Sequence, residues 1–208
     1  MALKKTLNSN LKIKSRKNDK KVQSLIAYFE RMGFSESEIT PFLNCIKTRQ
    51  YKANELILYK GQVENYLSFV DGGLVRYYVV AKDKEITIDF AFQKSFYCAY
   101  DSFYDRSETQ IYIEALTDTK LYSISYKDLQ NLYLNCEITK KIGRLATEYL
   151  LSKKVKREIN LLTKSPQERY EELLREQPKY IIQIPLKFIA SYIGVVPETL
   201  SRIRKRIT

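Results

Sequence analysis

The chain of 208 residues contains no histidine. Histidine ligates haem and zinc in many proteins and supplies the base in Ser-His-Asp and Cys-His nucleophilic sites. Those centres are therefore excluded, together with the histidine-based metal sites common in β-barrel enzymes. We expect a protein that is not an enzyme, and a β-barrel enzyme is a remote alternative.

Cysteine is also scarce, with Cys45, Cys98 and Cys136 far apart and no C-x-x-C pair. An odd number of separated thiols favours neither a disulfide framework nor a four-thiolate iron–sulfur or zinc site. We interpret the three residues as structural thiols and predict no metal and no cofactor.

The sequence lacks an apolar run long enough to span a bilayer. Its basic N-terminal stretch is not followed by the apolar segment of a signal peptide. These absences predict a cytoplasmic protein without a membrane partner.

Positive charge is abundant, and it is concentrated at the two ends of the chain. Residues 1–21 carry eight Lys or Arg and one Asp, a net charge of +7, and residues 153–208 carry thirteen Lys or Arg and six Asp or Glu, also +7. Because the total is +12, residues 22–152 carry −2. A nearly neutral body with basic ends is expected of a protein whose ends meet a polyanion.

Periodicity divides the chain into helical and extended parts. Residues 1–20 lack periodicity and predict a basic flexible tail, whereas residues 22–31 and 35–45 have helical spacing. From residue 49 the pattern changes to short runs of β-forming residues, about ten residues apart and separated by turns. We predict an α+β fold whose N-terminal part is a jelly-roll-like β-roll.

A heptad-like apolar stripe follows the β-rich region. Its members, at steps of four, three and four, are Ile138, Ile142, Leu145 and Tyr149. After a break in phase near Ser152 the pattern continues through Val155, Ile159 and Leu162. This spacing predicts a helix of about 25 residues whose apolar side pairs with a second copy of the chain. A helix that lies along the barrel explains the same pattern and is the alternative.

The next helix has a strong start signal at residues 165–168, Ser-Pro-Gln-Glu. Ser165 is the expected cap, Pro166 the first helical residue, and Glu168 completes a capping box. This helix is predicted to reach Arg175. The apolar stretch from Tyr180 to Ile184 then predicts a short strand or an extended connector.

The stretch from Leu186 to Arg206 has the spacing of a helix-turn-helix. Ala190 falls where two helices approach closely, and Gly194 falls where the turn needs a residue that tolerates positive φ. Pro197 suits the first turn of the second helix. One polar face of that helix is formed by Glu198, Ser201, Arg202 and Lys205. The face is suited to a DNA major groove, and a purely structural hairpin is the alternative.

The order of a β-roll, a long helix, a Ser-Pro-initiated helix and the motif V-P-E-T-L-S-R at residues 196–202 resembles the cyclic-AMP receptor protein and fumarate–nitrate regulator (Crp-Fnr) superfamily of bacterial transcription regulators. The resemblance covers about residues 22 to 207. It implies a homodimer that binds a palindromic operator in double-stranded DNA and contacts RNA polymerase. The implied parts are a tail over 1–20, a sensor domain over 21–135, a dimerisation helix over 136–163 and a DNA-binding domain over 164–208.

The resemblance also implies roles for residues in and around the second helix. By position in the family motif, Glu198 and Arg202 inherit base reading, with Ser201 on the same face. Thr199 inherits a phosphate contact, and the flanking cations Lys187, Lys205 and Arg206 are expected to contact phosphates. The family position of another base-reading arginine holds Pro197. We therefore expect an operator that differs from the family's commonest one.

The effector site departs from the family pattern. Cyclic-nucleotide binders of the family hold the ribose with a Gly-Glu pair and the phosphate with an arginine some ten residues further on. The aligned positions here are Cys98-Ala99 and Thr109-Gln110, so the carboxylate and the guanidinium are both missing. We expect that the effector, if there is one, is not a cyclic nucleotide.

One alternative keeps the β-roll as a small-molecule switch. Arg106, close to the aligned phosphate position, or Arg76 would then capture an unidentified small molecule or anion. Asp105 and Glu108 make the loop around Arg106 a poor environment for an anion. The effector is unknown on either reading.

Overall fold

The computed structural model describes residues 22–207, so the predicted N-terminal tail lies outside the described residues. The helices of the described part are α1 Gln23–Arg31, α2 Glu36–Leu43, α3 Tyr100–Asp105, α4 Tyr126–Asn135, α5 Glu137–Thr163, α6 Pro166–Glu176, α7 Pro178–Ile181, α8 Leu186–Ile193 and α9 Pro197–Ile207. The strands are β1 Lys47–Tyr51, β2 Leu56–Leu58, β3 Tyr66–Gly72, β4 Val75–Ala81, β5 Lys84–Ala91, β6 Phe96–Tyr97, β7 Tyr112–Ala115 and β8 Thr119–Ser125.

The strands form two four-stranded antiparallel sheets. The first has the order β1-β8-β3-β6 and the second the order β2-β7-β4-β5. Sequential strands often lie in different sheets, as they do in a roll that alternates between its two layers. The prediction of an α+β fold with a β-roll is confirmed.

Three apolar clusters hold the layers together. One lies between the two sheets and includes Val70, Tyr77, Tyr97 and Leu121. A second joins the outer face of the first sheet to α1, α2, α4 and the start of α5. The third joins Leu74 and Phe90 of the β-roll to α6–α9. The C-terminal helices therefore pack on the β-roll and share a core with it.

Local signals explain where the C-terminal helices begin. The Ser165 N–H donates to Glu168 Oε2 at 2.7 Å, and the Glu168 N–H donates to Ser165 Oγ at 3.3 Å. This reciprocal pair satisfies two N–H groups that the first turn of α6 leaves free. The predicted helix start at Ser165 is thus confirmed.

The stretch after α6 corrects a prediction. Residues 178–181 form the short helix α7, where part of a strand or extended connector was expected. Ile181 and Ile184 are buried in the same cluster as α6 and α8. A short apolar run has no periodicity that separates helix from strand, so packing between the flanking helices decides its conformation.

Candidate nucleic-acid interface

The helices α8 and α9 are joined by a turn at Gly194, which has φ 79°. A residue with a Cβ is strained at that angle, so glycine suits the position. The Val195 N–H donates to the Ala190 carbonyl at 2.9 Å and closes the end of α8. Ala190 itself is fully buried where the two helices meet. The predicted helix-turn-helix is present, and its second helix begins at Pro197 as expected.

The two sides of α9 differ in burial and in charge. Leu200 and Ile203 are buried against α6 and α8. The opposite side exposes Glu198, Arg202 and Lys205, while Ser201 and Thr199 are half-buried at its edges. This division follows from the helical period of the sequence, because residues three and four apart share a face. The structure thus brings the predicted base-reading residues to one exposed surface.

Most charges of this surface have no ion-pair partner in the part of the chain that the structure describes. No ion pair among residues 22–207 involves Glu198, Arg202, Lys205 or Arg206. Arg202 Nε donates a long hydrogen bond, of 3.5 Å, to the Glu198 carbonyl of its own helix. Lys187, at the start of α8, is exposed, with Nζ 4.7 Å from the centre of the Phe188 ring. These side chains remain available to a polyanion.

The helix α8 is docked on the β-roll through the edge strand β5. Ser191 of α8 accepts a hydrogen bond from the Thr87 N–H at 2.8 Å and donates one to the Glu85 carbonyl at 3.3 Å. An edge strand leaves N–H and C=O groups unpaired, and this serine satisfies two of them. The sequence carried no signal for this contact, because it joins residues about a hundred positions apart.

Arg76 is at the centre of the same contact. Its Nη1 lies 2.7 Å from Glu85 and 2.8 Å from Glu114, and its Nε donates to Thr87 Oγ1 at 2.9 Å. The guanidinium also lies 3.7 Å from the centre of the Phe188 ring of α8. Arg76 is 1% exposed. Its charge is therefore used inside the protein, which disfavours its proposed role in capturing an anion.

Arg106 is likewise engaged in internal contacts. Its Nη1 donates to the carbonyls of Glu64, at 2.7 Å, and Phe103, at 3.1 Å, and its Nη2 donates to Asn65 Oδ1 at 2.6 Å. The guanidinium lies 4.2 Å from the centre of the Tyr126 ring. Three of the five N–H donors of this guanidinium are thus used within the chain.

The other residues of the predicted effector pocket do not face one cavity. Cys98 packs into the cluster beneath α1 and α4, whereas Ala99 packs between the two sheets. Thr109 is buried, and its backbone accepts a hydrogen bond from the Gly61 N–H and donates one to the Gln62 carbonyl. Gln110 is exposed. The structure therefore disperses these five candidates, counting Arg106.

The space between the sheets is occupied by side chains of the roll. The rings of Tyr77 and Tyr97 meet edge to face, with centres 5.9 Å apart. Burial raises the pKa of Tyr77 well above its usual value, so the phenol stays neutral. Glu64 is the buried carboxyl of this region, and burial raises its pKa as well. The interior between the sheets is a packed core, and the positive charge of Arg49 partly opposes the effect of burial on the pKa of Glu64.

The predicted dimer seam divides into two parts along α5. Ile142 is 7% exposed and belongs to the core of its own chain, and Ile138 and Leu145 pack against that core. Tyr149, in contrast, is 72% exposed. The first three residues therefore have contacts within their own chain, where α4 packs beside that side of α5, and their contact with a partner stays a prediction.

A second apolar stripe lies on the C-terminal half of α5. Its members, at steps of four, four and three, are Leu151, Val155, Ile159 and Leu162. Each is at least 46% exposed. At 100° per residue, this stripe is displaced from the Ile138–Leu145 side by roughly a third of a turn. Large apolar side chains aligned on an exposed helix face indicate an interface.

Comparisons with known proteins agree with this architecture. Residues 48–136 match the cyclic nucleotide-binding domain family. No curated protein matches the chain in sequence. Within residues 22–207, no helix has both the length and the apolar character that crossing a bilayer requires.

Several solved structures share the fold at low sequence identity. FixK2 from Bradyrhizobium japonicum is 18% identical with a TM-score of 0.69, over 78% of this chain and 84% of that one. A CooA variant from Carboxydothermus hydrogenoformans is 17% identical with a TM-score of 0.65, over 86% and 83%. A CRP/FNR-family transcriptional regulator from Thermus thermophilus is 21% identical with a TM-score of 0.57, over 77% and 85%. Residues 48–136 are thus similar to cyclic nucleotide-binding domains, and the chain shares the fold of solved Crp/Fnr-family regulators.

Proposed function

We propose that this chain is a homodimeric, sequence-specific DNA-binding transcription regulator of the Crp-Fnr type whose effector is not a cyclic nucleotide. The observation that carries the proposal is the exposed face of α9, whose other side is buried. Glu198, Arg202 and Lys205 lie on this face and have no ion-pair partner among residues 22–207. A helix of this kind fits the major groove of B-DNA and reads the edges of the bases. Arg202 is the expected guanine reader.

The proposed dimer forms through the exposed stripe on α5. A partner helix that covers Leu151, Val155, Ile159 and Leu162 removes apolar surface from water. In a two-fold symmetric dimer the two copies of α9 are related by the symmetry axis, as the two half-sites of a palindrome require. In this arrangement residues 21–135 are the sensor domain, 136–163 the dimerisation helix and 164–208 the DNA-binding domain. The regulator acts in the cytoplasm and contacts RNA polymerase.

The anion-switch alternative loses support. Arg76 and Arg106, the two cations proposed for it, already bind carboxylates, carbonyls and rings of their own chain. Releasing either one for a ligand breaks several contacts at once. No other observation on the β-roll favours a particular small molecule.

The test is selection of bound sequences from random duplex DNA by the purified chain. We expect an enriched palindrome with two half-sites about one helical turn apart, or a multiple of that distance. A control selection uses the double variant Val155→Glu with Ile159→Glu, which places charges in the proposed seam and leaves α9 unchanged. It should enrich single half-sites at most. Enrichment of no sequence by the wild-type chain contradicts the proposal, and an unchanged palindrome with the variant contradicts the seam.

A further inference from the structure

The end of α8 presents an unusual distribution of hydrogen-bond partners. The last four carbonyls of a helix have no partner within the helix and need one elsewhere. Two of them are served by the backbone of the turn. The Ala190 carbonyl accepts from the Val195 N–H at 2.9 Å, and the Ser191 carbonyl accepts from the Gly194 N–H at 3.1 Å.

The other two carbonyls are served by arginines from other helices. Arg157 of α5 donates from Nη2 to the Tyr192 carbonyl at 3.1 Å, and its guanidinium lies 3.8 Å from the centre of the Tyr192 ring. Arg169 of α6 donates from Nε to the Ile193 carbonyl at 2.9 Å. Both are positive charges at the negative end of the α8 dipole.

Arg169 also binds the end of a second helix. Its Nη1 donates to the Lys164 carbonyl at 2.5 Å and to the Leu161 carbonyl at 3.3 Å, both at the C-terminal end of α5. One planar guanidinium thus joins the C-terminal ends of α5 and α8. Lysine cannot replace it in this role, because a single ammonium on a flexible stem does not present donors in two fixed directions.

We propose that Arg157 and Arg169 are positioning residues that fix the angle between α5 and the α8–α9 pair. The inference rests on the proposed function, in which α5 carries the dimer seam and α9 reads DNA. With both arginines in place, the separation between the two copies of α9 is set by the dimer helix. That separation determines which distance between half-sites the protein accepts.

The surroundings of the two arginines indicate that removing one of them changes the orientation of the helices more than it changes the stability of the fold. A cavity of about 90 Å³ borders both arginines, and Asn160 and Tyr192 also line it. Arg157 is half-buried beside this space. When the guanidinium is removed, a water molecule in this space can therefore donate a hydrogen bond to the Tyr192 carbonyl.

The experiment uses the full chain and a set of operators with identical half-sites and spacers of different length. The variants are Arg157→Ala, Arg169→Ala and Arg169→Lys. The matched control is Arg175→Ala, on the exposed side of α6, which removes one positive charge from the same helix as Arg169. All affinities are measured at one salt concentration, because the electrostatic contribution depends on salt.

We expect the wild-type chain and Arg175→Ala to share one preferred spacer. Arg169→Ala and Arg169→Lys should bind that operator about tenfold more weakly or worse, since bonds from a charged donor are lost. They should also accept other spacers almost as well as the preferred one. A merely structural role lowers the melting temperature without changing the spacer preference.

The assignment is overturned if Arg169→Lys and Arg157→Ala keep both the affinity and the spacer preference of Arg175→Ala. If Arg169→Ala does not fold, Arg157→Ala decides, because its carbonyl partner can be hydrated. Failure of the proposed function has a different signature, in which the wild-type chain binds no operator at any spacing.

Discussion

Arg76 in the β-roll and Arg202 in α9 are the same side chain in opposite surroundings. Arg76 is 1% exposed and contacts two carboxylates, a hydroxyl and two rings. Arg202 is exposed, and its hydrogen bond is to a carbonyl of its own helix at 3.5 Å. The first arginine completes the contact between the β-roll and α8, whereas the second presents its charge to the surroundings.

The difference distinguishes charges that stabilise the fold from charges that are available to a partner. A buried cation must be compensated within the protein, because removing a charge from water is unfavourable without a partner. An exposed cation stays hydrated until a polyanion replaces the water. The net charge of +12 counts both kinds alike. Only the contacts distinguish Arg76, whose charge is compensated within the chain, from Arg202, whose charge is exposed.

The largest expected effect is the difference in stability between the two variants in which one of these arginines is replaced by alanine. Arg76→Ala should lower the free energy of unfolding by about 3 kcal/mol or more, because it leaves Glu114 without its cation in a mostly buried site. Arg202→Ala should change it by less than about 0.5 kcal/mol. Urea denaturation measures both. Equal losses of stability for the two variants would contradict the distinction between a charge used inside the fold and an exposed one.

A similar contrast within α5 gives the second prediction. Ile142→Ala should lower the free energy of unfolding by about 2–4 kcal/mol, because it opens a cavity in the core of the chain. Ile159→Ala, the same change on the exposed stripe, should instead weaken the dimer about tenfold or more. Sedimentation reports the dimer, and urea denaturation at several protein concentrations reports the fold. A weaker dimer for Ile142→Ala together with an intact one for Ile159→Ala restores the seam that the sequence predicted.

The two halves of α5 also show how far the sequence could predict this structure. The length of the helix follows from the spacing of its apolar residues, and its end at Thr163 follows from the cap at Ser165. The spacing does not tell whether an apolar face meets the same chain or another one. Ile142 is buried because α4 and the β-roll lie beside it, and that neighbourhood is set by contacts distant in sequence.

Other elements show the same limit: features that depend on neighbouring residues could be predicted from the sequence, whereas contacts between distant residues could not. Gly194, Pro197 and the polar face of α9 were predicted because each depends on residues within one or two helical turns. The strand β1, with the sequence KTRQY, lacks the pattern of a buried strand and is formed by its pairing with β8. The same reason hides the contacts of Ser191 with Thr87, of Arg157 with Tyr192 and of Arg169 with Ile193, because these partners lie 24 or more positions apart.

The third prediction compares two kinds of cation on and beside α9, the proposed base reader and the proposed phosphate contacts. Arg202→Ala should lose about 1–3 kcal/mol of discrimination at one base pair of each half-site, because a bidentate contact to guanine is removed. Lys187→Ala or Arg206→Ala should weaken all sequences alike and lower the salt dependence by about one phosphate contact for each copy of the change. Binding measured on operators with single base changes, at two salt concentrations, separates the two classes. An unchanged base preference in Arg202→Ala rejects its role as a base reader.

The last prediction is that cyclic nucleotides have no effect on this protein. Cyclic AMP and cyclic GMP should not bind, and DNA binding should not require them. A cyclic phosphate brings a full negative charge into a desolvated site, which needs a charged and preferably bidentate partner. Arg106, the nearest candidate, is held by Glu64, Phe103 and Asn65.

The shape of the roll gives a second, independent reason for the same result. Tyr77 and Tyr97 occupy the space between the sheets, so a nucleotide has to displace packed rings as well as recruit a cation. Calorimetry should therefore detect no saturable heat, and the melting temperature should not rise with nucleotide, because only a ligand that binds the folded state stabilises it by mass action. Arg106→Ala is the control, which should lower stability without changing the response to nucleotide. Saturable micromolar binding that disappears in Arg106→Ala means that Arg106 exchanges its internal contacts for the phosphate, and then the β-roll arginines, too, are available to a partner.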